Sequence, residues 1–180
     1  MLQVFIDGAS RGNPGLAGVG IVVYNKNNRV SAYREFVGIK TNNQAEYCAL
    51  RRALQITIFV GNEILILSDS TLVINQRLKK YKIRNNELKM ISREITNLEK
   101  SFESIGYRHI SRTRNIEADL EANIAIDDYL KYRKNDDSLG SGDDSELNQS
   151  QLLKNEEKAL DWAAIIFLES KGLWNLYSIY

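Results

Sequence analysis

LQVFIDGASRGNPGLAGVGIVVY, residues 2–24, decides how the chain folds. Leu2–Asp7 is rich in alternating apolar residues, Gly8–Gly18 is a turn-forming stretch, and Val19–Tyr24 returns to strand-like composition. Asn25–Asn28 (NKNN) supplies a hairpin turn into a third strand, Val30–Val37. From Thr41 through Phe59, Ala45, Ala49, Leu50, Ala53, Leu54 and Ile56 recur close to helical spacing. Thr41-x-x-Gln44 forms a capping box, in which two side chains satisfy otherwise unpaired backbone donors. Glu63–Ser68 (EILILS) is the short continuous apolar run of a strand buried on both faces. Helical segments near 70–78 and 86–101, a strand near 104–110 and a helix from about 116 to 131 follow. The order βββαβααβα predicts an α/β domain.

The chain has 180 residues, enough for one ordinary domain with length to spare. Its one Cys excludes an internal disulfide, and Met1 runs directly into the first strand with no charged leader. The expectation is an intracellular, cytoplasmic protein. The apolar run Trp162–Leu168 falls well short of the roughly 20 residues a membrane helix needs, so no membrane is expected as a partner. A net charge of +1 argues against bulk electrostatic attachment to nucleic acid, yet it hides an asymmetry. Residues 1–130 carry 18 basic and 14 acidic side chains, and 131–180 carry 6 and 9. Asn135–Ser150 holds only Leu139 and Leu147 as large apolar residues, too few to offset its ordering entropy. The chain therefore divides into a domain over 1–132, a flexible acidic linker over 133–150 and a C-terminal helix with an apolar tail over 151–180. That helix must dock on the core, on a second copy or on a partner; the oligomeric state stays open.

Four acids stand out by position. Asp7 ends the first strand and Asp69 the central one; Glu46 lies near the start of the helix after Thr41, and Asp119 one turn into a helix that Asn115 could cap. Strand ends of an α/β sheet are where ligand sites form. Carboxylates gathered there repel one another and acquire raised pKa values unless a cation neutralises them. Oxygen-only donors favour Mg²⁺ or Mn²⁺ over zinc.

FIDGASRGNPGLAGVG at 5–20, TNNQAEYCAL at 41–50, LSDSTLVINQ at 67–76 and RNIEADLEAN at 114–123 resemble, in order, the four signature blocks of type 1 ribonuclease H. The resemblance covers residues 1–130 and implies a mixed five-stranded sheet with helices on both faces. It implies cleavage of the RNA strand of an RNA/DNA hybrid to 5′-phosphate and 3′-hydroxyl ends. Asp7, Glu46, Asp69 and Asp119 match the family's catalytic acids, which implies two Mg²⁺ ions, with Mn²⁺ as substitute. Asn13, Asn42, Asn43 and the turn at Gly12 match groups that contact the 2′-hydroxyls by which RNA differs from DNA. Thr41 matches a residue that binds a DNA-strand phosphate.

Two departures bear on this match. Thr71 stands where many members carry Gln, and its shorter reach implies weaker or displaced minor-groove contact. His109 reads as strand rather than mobile loop, which points to a structural role. HISRTRN instead resembles a short-loop branch in which an Arg at the position of Arg112 sits near the scissile phosphate. Arg77, Lys79, Lys80, Lys82, Arg84 and Lys89, with one acid, Glu87, fall where longer members insert a basic protrusion. Interleaved with Tyr81 they suit a backbone-tracking surface centred on Lys79 and Lys80. No preceding hybrid-binding module is expected. The competing functions are an idle hybrid-binding module, disfavoured because all four acids are present, and a DNA-directed nuclease of the same superfold, disfavoured by the blocks that match 2′-hydroxyl contacts.

Overall fold

In the computed structural model, which describes residues 1–136, the chain opens with an antiparallel meander of β1 (Leu2–Gly12), β2 (Gly15–Asn25) and β3 (Asn28–Lys40). There follow α1 (Asn42–Thr57), β4 (Glu63–Ser68), α2 (Thr71–Arg77), α3 (Asn86–Glu99), β5 (Ser104–His109), a 3-10 turn at Arg112–Arg114 and α4 (Ile116–Asp136). The sheet order is β3-β2-β1-β4-β5, with β4 parallel to both β1 and β5. This is the mixed five-stranded sheet expected from the resemblance.

The Gly8–Gly18 stretch is not a loop. β1 and β2 pair without interruption from Leu2↔Asn25 to Gly12↔Gly15, leaving only Asn13 and Pro14 as the turn. Gly12 takes φ +116°, a conformation that an L side chain rarely adopts. α4 also runs to Asp136, past the expected end near 131 and into the first residues assigned to the linker. The C-terminal helix and apolar tail lie outside the described residues.

Alternation along the strands sorts the two layers. Val4 and Ile6 of β1 and Val19, Ile21 and Val23 of β2 join Tyr47, Leu50 and Leu54 of α1 in one buried cluster. The opposite face receives α4 through Ala118, Ala122 and Ala125. Two glycines set how closely these helices approach. A Cβ on Gly8 would stand 2.2 Å from the α1 backbone at Ala45, and one on Gly20 would stand 2.1 Å from the Ala118 carbonyl of α4. Gly20 pairs directly with Asp7, so both helices are brought close to the sheet around that one residue.

Candidate active site

The β1–β4 ladder ends at Phe5↔Leu67, while β1 continues along β2. Asp7 and Asp69 flank the fork so made, a strand-end crevice of the kind where α/β sheets bind ligands. α1 adds Glu46 from its second turn and α4 adds Asp119 from its first. All four acids, with Asn42, Ser10, Arg112 and Asn123, line a concavity of about 280 Å³.

Burial, then the charges of Asp69 and Asp119, push the Asp7 carboxyl up to about 7, against a small opposing effect from Arg112. Glu46 is held well above the usual carboxylate range by burial and by Asp7 and Asp69, although the Gly8 backbone N–H donates to it. Its Oε2 is buried without a hydrogen-bond partner. Arg112, with its side chain 80% exposed, donates to Asp119 Oδ1 at 3.2 Å.

These features fit a cationic cofactor. The donors are all carboxylate oxygens, burial and the neighbouring acids raise the proton affinity of Asp7 and Glu46, and one buried carboxylate oxygen, Glu46 Oε2, lacks a partner. As placed, no three acidic, His or Cys side chains among the described residues stand close enough together to hold a metal ion. Asn115 and Arg112 instead hold one oxygen each of Asp69 and Asp119.

Asn115 is the residue that the sequence pattern misassigned. Its side chain does not cap α4. It is 1% exposed, and its Nδ2 donates to the Ile6 carbonyl at 2.9 Å and to Asp69 Oδ1 at 2.7 Å, tying β1 to the acid after β4. An Asn just before a helix reads as an N-cap, so local sequence carried no signal for this long-range role.

The expected substrate-side residues gather at the start of α1. The Thr41 N–H donates to Gln44 Oε1 at 2.7 Å and the Gln44 N–H to Thr41 Oγ1 at 3.3 Å, which is the predicted capping box. Asn13 Oδ1 accepts from the Asn42 N–H at 3.2 Å, linking the β1–β2 turn at Gly12 to the helix. In this first turn the Asn43 N–H has no partner among the described residues, leaving a donor at a helix N-terminus. His109 ends β5, as expected, with Nε2 3.2 Å from both Thr71 Oγ1 and the Asp69 carbonyl. Lys79, Lys80, Lys82, Arg84 and Lys89 are exposed. Arg77 is not part of that surface. Its side chain is 8% exposed and bonds Glu99, Ser92 and Thr96, because an arginine on the inner side of α2 must satisfy its donors against α3.

Residues 5–125 match the family model described as reverse transcriptase-like. The crystal structure of RNase H1 from Halobacterium salinarum superposes with a TM-score of 0.69 at 36% identity, over 71% of this chain and 98% of that one. The chain belongs to the ribonuclease H1 family. LC11-RNase H1, solved in complex with an RNA/DNA hybrid, is similarly close, with a TM-score of 0.69 at 33% identity over 72% of this chain and 99% of that one. Among curated relatives, a bifunctional protein of Mycobacterium tuberculosis is 36% identical over 124 residues, 67% of this chain. The chain spans about a third of that relative's length, 34%. Like the two crystallised ribonucleases H1, it carries the family's sheet through its described residues.

Proposed function

We propose that the chain is an endoribonuclease that hydrolyses the RNA strand of RNA/DNA hybrids to 5′-phosphate and 3′-hydroxyl ends. The observation that carries this is the convergence of four carboxylates from β1, α1, the end of β4 and α4 on one concavity, beside a helix start bearing Asn42 and Asn43. The neighbour solved with a hybrid supports the substrate class. Asp7, Glu46, Asp69 and Asp119 would hold two Mg²⁺ ions, with Mn²⁺ as substitute. Bound there, the ions supply Lewis acidity at the attacking and leaving oxygens of an in-line displacement.

The remaining roles belong to side chains. Asn115 keeps Asp69 oriented toward Asp7. Arg112 pairs with Asp119 and offers a guanidinium to the scissile phosphate. Asn13, Asn42 and Asn43, with the Gly12 turn, read 2′-hydroxyls on the RNA strand. Thr41 and the Asn43 N–H receive a phosphate of the DNA strand. Lys79 and Lys80 follow the backbone further along, and Thr71 reaches the minor groove.

In this account residues 1–132 are the catalytic domain, 133–150 an acidic linker and 151–180 a segment that docks on the core outside the cleft. Cytoplasmic placement is part of this proposal; among the described residues no helix is long and apolar enough to cross a membrane. The test compares three substrates with Mg²⁺: a hybrid, single-stranded RNA and duplex DNA. Cleavage confined to the RNA of the hybrid is the expected result. Binding without cleavage would identify an idle module, and cutting of duplex DNA a DNA-directed nuclease.

A further inference from the structure

The lone acid in the basic stretch, Glu87, does not serve that surface. It lies in the first turn of α3 and accepts a hydrogen bond from Gln44 Nε2 of α1. The other end of the same carboxamide, Gln44 Oε1, accepts from the Thr41 N–H at 2.7 Å and from Thr41 Oγ1 at 3.0 Å. A carboxamide has one donating and one accepting end, exchanged by a half-turn about its last torsion. Flipped, Gln44 would set its Nε2 donors against the Thr41 N–H, and the capping box would be lost. A carboxylate only accepts, so Glu87 selects the orientation that keeps Thr41 in place.

We infer that Glu87 is a positioning residue for substrate recognition, acting through Gln44 to hold the Thr41–Asn43 turn in the shape that meets the hybrid. It also couples the two surfaces proposed to touch substrate, because the helix it starts follows the Lys79–Arg84 segment, whereas the residue it holds belongs to α1. The inference rests on the hybrid-cleaving function proposed above.

Electrostatics alone makes the opposite prediction. Removing an acid from a cationic face should tighten binding to a polyanion, and Glu87→Ala and Glu87→Gln should do so equally. The positioning role predicts that Glu87→Ala raises KM for the hybrid about three- to tenfold, the worth of one ordinary hydrogen bond, with kcat within about twofold of wild type. Glu87→Gln keeps a carbonyl acceptor and should stay near wild type in both. Glu87→Lys presents a donor to a donor and should be worse than Glu87→Ala.

The second readout needs no substrate. Hydrogen exchange at the Thr41 amide should quicken several-fold in Glu87→Ala and Glu87→Lys and remain at the wild-type rate in Glu87→Gln. Should the wild type fail to cleave hybrid, the function proposed above falls, and Thr41 exchange still decides the role of Glu87. Unchanged Thr41 exchange in Glu87→Ala, a lowered KM, or matching losses in the Ala and Gln variants would each overturn the inference.

Discussion

At the scale of single residues, Asp7 concentrates the electrostatic tension of the molecule. It is 6% exposed and lies beside Asp69 and Asp119, and burial with those neighbouring charges pushes its carboxyl up to about 7. A carboxyl whose folded pKa is raised contributes stability in full below its unfolded pKa and loses it as pH climbs through the folded value. The metal-free protein therefore carries a penalty that grows from about pH 4 and is complete above about pH 7. Asp7→Asn should melt higher than wild type at pH 8 in a chelator, and the gap should close at pH 4. Equal melting temperatures at both pH values would contradict it. Asp69, Glu46 and Asp119 were legible in the sequence because each falls just after a strand or near a helix start; Asp7 was picked out as the end of the first strand, but β1 runs on to Gly12, and what ends near it is only the pairing with β4. Asn115 was not legible, because its partners Ile6 and Asp69 are 109 and 46 residues away.

At the scale of elements, what matters is how closely α1 and α4 approach β1 and β2. Gly8 and Gly20 permit that approach, and Glu46 and Asp119 reach Asp7 because of it. Glycine-rich sequence reads as loop when its local conformational freedom is the only reason considered. Here two residues suffice for the turn, and Gly8, Gly18 and Gly20 instead leave room for helices, which no local rule reports. α4 is tied to the sheet along its later turns as well: Asp127 pairs with Arg11, Asp128 with Arg34, and Tyr129 stacks on Phe36 at a centroid distance of 3.7 Å. Gly20→Ala should cost on the order of 1–3 kcal/mol as overpacking lifts α4 from the sheet. It should also lower kcat at least tenfold, since Asp119 moves with the helix. Thermal melts and single-turnover rates check this, and a stable, fully active variant would refute it.

Taken whole, the near-zero charge is an average over unlike parts. Residues 1–130 carry four more basic than acidic groups even though four acids face the cleft, and 131–180 carry three more acidic than basic. With Arg77 committed to Glu99, the exposed basic run begins at Lys79. If Lys79 and Lys80 follow the hybrid backbone, reversing both should flatten the slope of log affinity against log salt by roughly one to two. An unchanged slope would make them a solvated face. The apolar residues Trp162, Phe167 and Trp174 motivate docking of the tail on the core. Deleting 137–180 should then lower thermal stability while sparing hybrid cleavage, and unchanged stability would exclude docking. The central claim, however, concerns the four carboxylates. Its most direct test measures cleavage of a uniform RNA/DNA hybrid with Mg²⁺ by the wild type and by Asp69→Asn. The wild type should cleave the RNA strand, chelation should abolish that cleavage, and the variant should lose several orders of magnitude in rate. An Asp69→Asn protein cleaving at the wild-type rate would contradict the claim.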